Sequence, residues 1–227
     1  MTPKVIVSYD DTRGDQDAVA LGRHFAEAGA TVELAYVRHS RATNGHEELR
    51  EESHALNLLE HGRGLLGDPD AELHVVLSAS TGEGLWALAE REGADLVVFG
   101  SDYHTAPGTV SPLTSAKRLL DGGPAAVAIA PAGYRDLDRG IVSIGVSPSP
   151  DDTSAMDTAR ALASRWGAVV TSNSQRDLLV IGSRPEAPKG RVLLTALAEY
   201  AIDTAGCPVL VVPRDAALPF EPATITA

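Results

Sequence analysis

Apolar and polar positions alternate between two periods along this chain of 227 residues. Short apolar runs at Val5 to Tyr9, Thr31 to Val37, Glu72 to Leu77, Leu96 to Phe99 and Ala126 to Ala130 predict five buried strands. Between them the spacing is helical. Ala18, Leu21, Phe25 and Ala28 share one face of a helix over Asp15 to Ala28, which Gly29 stops. A long charged helix is expected from about Gly45 to Leu66, with Leu49, Leu56, Leu59 and Leu66 along one side. Shorter helices are expected at Gly84 to Glu92 and Ser115 to Leu120. Strands that alternate with helices, without hairpin signals, predict an α/β fold with a doubly wound parallel sheet.

After a polar hinge from Gly133 to Arg139 the pattern restarts. Ile141 to Val146 matches the first strand, Thr153 to Trp166 the first helix and Ala168 to Thr171 the second strand. Asp177 to Ser183 then mirrors Asp95 to Ser101, and Pro208 to Pro213 mirrors Ala126 to Pro131. The first strands lie 137 residues apart and the Gly-Ser strands 82 apart, so the second copy is 55 residues shorter. That is the length of the second helix, third strand and third helix. A sheet survives such a loss only if the third strand lies at its edge, which gives the strand order 3-2-1-4-5. The expected organisation is a full domain over residues 1–133, a truncated domain over 140–213 and a tail over 214–227, packed through Leu218 and Phe220.

Composition narrows the function. Apolar residues make up 44% of the chain, enough for a packed core, and the formal net charge is −12. Such a surface repels nucleic acid and anionic membranes. No apolar stretch is long enough to span a bilayer, and the strand-like start Lys4-Val5-Ile6-Val7 is unlike a signal peptide. Cys207 is the single cysteine and reads as a buried thiol. A cytoplasmic protein is expected. His54 and His61 share one helical face, but no carboxylate or cysteine completes a metal set, so the seven histidines read as solvated and no metal is expected. The acidic run Glu47-Glu48 and Glu51-Glu52 around Arg50 reads as a solvated helix face.

Several segments together resemble the universal stress protein family: Val7-Ser8-Tyr9-Asp10-Asp11-Thr12, Ala35-Tyr36-Val37, Ala94 to Ser101, and Gly206 to Pro213. The resemblance implies a five-stranded sheet in the order above. It also implies pairing through the last strands, here an internal pseudo-dimer, with a homodimer as a further option. Many members bind ATP with a loop of the form Gly, two residues, Gly, nine residues, Gly, then Ser or Thr. Gly100 and Ser101 match its start, but Tyr103 and Leu113 stand at the next two glycine positions, followed by Thr114. Pro107 and Pro112 stiffen the loop and Gly108 alone lends it freedom. In the second copy Pro185 follows Gly182-Ser183 and Ser147 replaces Asp10, so no ATP is expected there.

By that resemblance Asp10, Val37, Gly100, Ser101, Gly108, Thr114 and Ser115 are the candidate ligand residues, with ATP as the candidate cofactor. Four of them have a plainer reading beside the functional one. Asp10 is equally a turn or capping aspartate, with Asp11 and Thr12 as alternative caps. Val37 is a core valine, and Thr114 and Ser115 cap a helix. No catalytic residue is expected. Asp10-Asp11-Thr12 lacks the second acid of a phosphatase nucleophile, and a phospho-receiver would need an acid where Leu77-Ser78-Ala79-Ser80 stands. The expected function is stress-response regulation with a degenerate adenine-nucleotide pocket. The alternatives are an interaction scaffold without nucleotide and a weak ATP hydrolase. The discriminating feature is whether the Tyr103 to Leu113 loop fills the space beside Asp10.

Overall fold

The computed structural model describes residues 2–39, 45–137, 140–172 and 175–221. Asp138 and Arg139 of the expected hinge, and the tail beyond Glu221, lie outside these residues. In chain order the elements are β1 (Lys4–Ser8), α1 (Arg13–Glu27), β2 (Thr31–Arg38), α2 (Gly45–Leu66), β3 (Leu73–Leu77), α3 (Thr81–Glu92), β4 (Leu96–Phe99), α4 (Thr114–Leu120) and β5 (Ala126–Ile129). There follow β6 (Ser143–Ser147), α5 (Ser154–Trp166), β7 (Val169–Thr171), β8 (Leu178–Gly182), α6 (Ala196–Asp203) and β9 (Val209–Val212).

All nine strands form one sheet in the order β3-β2-β1-β4-β5-β9-β8-β6-β7. Its first five strands carry the expected 3-2-1-4-5 order, with β3 at the edge. Every neighbouring pair is parallel except β5 and β9, which run antiparallel with Ala128 opposite Leu210. The two final strands thus cover each other's edges, leaving only β3 and the three-residue β7 open.

One face of the sheet packs against α1, α2 and α5, the other against α3, α4 and α6. Helix α1 buries the predicted Ala18, Leu21 and Phe25, and Gly29 follows it at φ +98°. In α2 the buried stripe is Ala55, Leu59, Gly62 and Leu66, whereas Leu49 and Leu56 are exposed. The reason lies at Gly62, where a Cβ would stand 2.9 Å from the buried Tyr9 ring. The face that admits Tyr9 is turned inward, and the two leucines fall off it. The acidic run is not simply solvated either. Glu48 and Glu51 pair with the guanidinium of buried Arg38 on β2.

One expected boundary moves. Strand β6 starts at Ser143, and its register places Ile144 against Leu178 as Val5 stands against Leu96. Helix α6, where the chain Thr195-Ala196 gave no clear expectation, is capped by the Thr195 hydroxyl accepting from the Ala198 amide. The tail packs through Leu218 and Phe220, both buried, and the Phe220 ring stacks on Phe25 of α1 at 6.3 Å. Trp166 of α5 donates its indole N–H to the His24 carbonyl, so α1, α5 and the tail share one core.

The loop after β4 and the loop after β8 repeat each other bond for bond. Ser101 Oγ donates to the Ala130 carbonyl at 2.7 Å and Ser183 Oγ to that of Val212 at 2.8 Å. Gly108 N–H donates to Ala132 and Gly190 N–H to Arg214, both glycines having φ above +70°. The amides of Asp102 and Arg184 donate to Ser111 and Leu193 in the same way.

Candidate functional site

The site is assembled where β1 and β4 separate, the switch point of the strand order, at the carboxyl ends of the strands. After β1 the chain turns through Asp10 and Asp11, the latter at φ +56°. The turn is held by Asp15, whose Oδ2 accepts from the Asp10 amide, the Thr12 amide and the Thr12 hydroxyl. Thr12 in turn accepts from the Asp15 amide, a capping box that starts α1. Thr12 is therefore the cap, and Asp10 is left for another role.

The turn is pressed against the end of β4. A Cβ on Gly100 would lie 1.9 Å from the Gly14 carbonyl oxygen, and one on Gly14 would lie 2.6 Å from that of Ser101. Two facing glycines are the condition for this approach. On the other side, Tyr9 donates to Asp11 at 2.8 Å, and His61 of α2 meets the same oxygen at 2.9 Å. These hydrogen bonds, from Tyr9 first, hold the Asp11 carboxyl below its ordinary pKa.

A cavity of about 600 Å³ opens between these parts. Asp10, Tyr36, Val37 and His39 line one side, the start of α3 at Ser80 to Gly82 another, and Ser101, Thr114, Ser115 and Arg118 a third. No described residue hydrogen-bonds to the Asp10 carboxylate. The cavity walls desolvate it and push its pKa up, against the lowering pull of His39 and His54. His39 is fixed by contacts of 3.2 Å to the Ser78 carbonyl and 3.1 Å to the Thr81 hydroxyl.

Asp10, Val37, Ser101, Thr114 and Ser115 are thus brought together. Ser101 is spent on structure, since its hydroxyl donates to Ala130 and accepts from the Ser111 amide. Thr114 and Ser115 open α4, but its cap position is Leu113 and no side chain caps it. Gly100 and Gly108 do not line the cavity. Gly100 serves the contact with Gly14, and Gly108 ties the loop to Ala132. The loop folds back as a hairpin over buried Val110 and leaves the space beside Asp10 open. Tyr103 stands on the rim, 77% exposed.

Sequence reasoning missed His39, Arg118 and the start of α3. The Ser80-x-x-Glu83 pattern could have announced that helix start, since Ser80 caps it through the Glu83 amide. Nothing local announces Arg118. It also missed His74, which meets the buried Glu33 at 2.8 Å and lies near Glu72. This His and two carboxylates would suit a cation, but the Lys4 ammonium already sits 3.1 Å from Glu33 and 3.7 Å from Glu92.

The second half holds no matching acid. Asp151, at φ +56°, takes the place of Asp11, so Pro150 rather than Ser147 stands opposite Asp10. The Arg214 guanidinium donates to the Pro150 carbonyl at 3.1 Å.

A doubly wound, mostly parallel sheet with a cleft at its switch point defines the Rossmann-like class of α/β fold. Within that class the chain has the universal stress protein fold. A universal stress protein from Archaeoglobus fulgidus superposes with a TM-score of 0.70 over 93% of this chain and 98% of its own, at 11% identity. A functionally unknown protein from Pseudomonas aeruginosa matches with a TM-score of 0.58 over 94% and 93%, at 14% identity. A universal stress protein in complex with cAMP matches 58% of this chain at 0.46, too loose a likeness to carry its ligand across. No family model and no curated protein matches the chain in sequence. No helix among the described residues is long and apolar enough to cross a membrane.

Proposed function

We propose that the first half, residues 1–133, binds an adenine nucleotide in the cleft beside Asp10 and that the chain acts as a stress-response regulator rather than an enzyme. The observation that carries this reading is the conformation of the Tyr103 to Leu113 loop. It packs back on Ala132 and leaves about 600 Å³ open at the switch point, a volume suited to a nucleotide.

The lining fits the parts of such a ligand. Val37 offers an apolar wall for a base, and the Asp10 carboxylate is a free acceptor for ribose hydroxyls or an exocyclic amine. Arg118 supplies the cation for phosphate. The Glu33, Glu72 and His74 group lies near the amino ends of the strands, away from the cleft.

The second half is read as a shortened copy of the first. The bond-for-bond likeness of the two loops supports this, as does the antiparallel pairing of β5 with β9. Pro150 stands there in place of Asp10, so one nucleotide per chain is expected. A buried Cys207 outside any disulfide suits a reducing, cytoplasmic setting.

Calorimetric titration with ATP and magnesium, on the wild type and on Asp10→Ala, tests the reading. Saturable binding that the variant loses is expected. No heat at millimolar ATP would leave the cleft without its nucleotide and make protein–protein interaction the working function.

A further inference from the structure

Beside the pairing of β5 with β9, a strap of the second half reaches into the first. Val192 accepts from the Gly122 amide at 2.7 Å and donates to the Gly123 carbonyl at 3.1 Å. Asp121 bridges to Leu193. Beside this strap Arg191 crosses to α3, where its Nη1 donates to Glu90 at 3.0 Å and its guanidinium carbon lies 5.7 Å from the Trp86 ring centre.

Trp86 already carries another cation. The Arg118 guanidinium lies over the same ring at 4.1 Å. Arg118 is also held by Glu83, which accepts from Nε at 2.5 Å, and by the Asp121 carbonyl, which accepts from Nη1 at 3.4 Å. Its Nη2 has no partner among the described residues, and Arg118 lines the cleft. Two contacts therefore run from the second half into this one side chain. One passes through the Trp86 ring and the other through the Asp121 turn that Leu193 bridges.

A ring shared by two guanidinium groups is held from both. Removing Arg191 frees Trp86, and with it the stacking that fixes Arg118. We propose that Arg191 of the second half is a positioning residue for Arg118, and that it tunes how strongly the cleft holds the phosphate end of its ligand. On this view the copy that lost its own site keeps its loop as a buttress for the other. The inference rests on the nucleotide reading above, and it predicts a specific signature. Arg191 affects the anionic part of the ligand and leaves the base and ribose contacts untouched.

The test compares ATP with adenosine on the full chain by calorimetry, using the wild type, Arg118→Ala, Arg191→Ala and Arg191→Lys. Arg191→Ala is expected to weaken ATP about tenfold and adenosine less than twofold, with Arg118→Ala losing at least as much ATP affinity. Arg191→Lys keeps the Glu90 pair but not the planar stacking, and is expected to recover only part of the loss. Melting curves check that each variant is folded. An equal loss for ATP and adenosine would mean general loosening and would overturn the proposal. So would an Arg191→Ala variant that binds ATP like the wild type while Arg118→Ala does not. If the wild type binds neither ligand, the nucleotide reading itself fails and takes the proposal with it. If only Arg191→Ala is silent, the reading stands alone.

Discussion

The loops that follow β4 and β8 share one backbone and differ in what they leave open. Each starts with a Gly-Ser pair whose hydroxyl bonds the end of the last strand in its half, and each turns at a glycine with positive φ. Above the first loop there is a cleft of about 600 Å³; in the second half Pro150 takes the place of Asp10, and its carbonyl accepts from Arg214. The loop is therefore a scaffold, and the cleft is made by what surrounds it: Asp10 after β1, the end of β2 and the start of α3. Among the described residues the second half has no helix between β7 and β8, and so lacks the wall that α3 gives the cleft. A glycine pattern read alone would have graded the two loops together.

The sharpest way to break this comparison is at the paired glycines. In Gly100→Ala the new Cβ would meet backbone at 1.9 Å, so β4 and α1 must separate. In Gly182→Ala the nearest atom is the Ser149 amide nitrogen at 2.9 Å, which a small shift relieves. Urea unfolding should show a loss of about 3 kcal/mol or more for Gly100→Ala and about 1 kcal/mol for Gly182→Ala. Equal losses would mean that the two strand ends are packed alike.

A second pair reverses the asymmetry. Asp95 accepts one bond at the start of its strand, from the Lys4 amide at 2.8 Å. Burial pushes its pKa up, the Lys4 bond opposing, so part of its worth is already lost. Asp177 accepts three, from the Val142 amide and from the Ser143 amide and hydroxyl. Asp177→Ala should therefore cost about 2 kcal/mol and Asp95→Ala about 1 kcal/mol in the same assay. The opposite ranking would show that the second half contributes little to the cooperative unit.

Much of the architecture was legible because it follows from local rules. Apolar runs between helical stretches gave the strands, and the unequal spacing of repeated strands placed β3 at an edge before any coordinates. The offset was read two residues short, because Ile141 resembles a strand residue but packs before β6 begins. The cleft was legible only in part. Asp10 and Val37 stand next to strand ends, where chain order predicts ligands. Arg118 and His39 reach the cleft through the angles at which α4 and β2 end, which no spacing encodes. The assignment of Leu49 and Leu56 to the core of α2 failed for a similar reason: a distant ring, Tyr9, decided which face turns inward. The histidines were read as solvated because a partner such as Glu33, 41 residues from His74, is visible only once β2 and β3 pair.

The smallest predicted difference separates the halves by pH. Burial opposes ionisation of Glu33, but hydrogen bonds from His74 and then Lys4 win and hold its pKa below the ordinary value. In the second half the register puts Thr171 at this position and Ser143 at that of Lys4, and among the described residues there is no counterpart of β3 to supply a histidine. This acid-sensitive contact thus has no match at the same register in the second half. Because the folded-state pKa of Glu33 is depressed, its contribution is complete above the unfolded value of about 4.3 and is lost as pH falls through the folded one. Glu33→Gln should be less stable than the wild type by about 1 kcal/mol at neutral pH, the glutamine still accepting one bond. The gap should close as urea midpoints are followed below about pH 4. A gap that stays constant down to about pH 3 would place the acid response elsewhere than at Glu33.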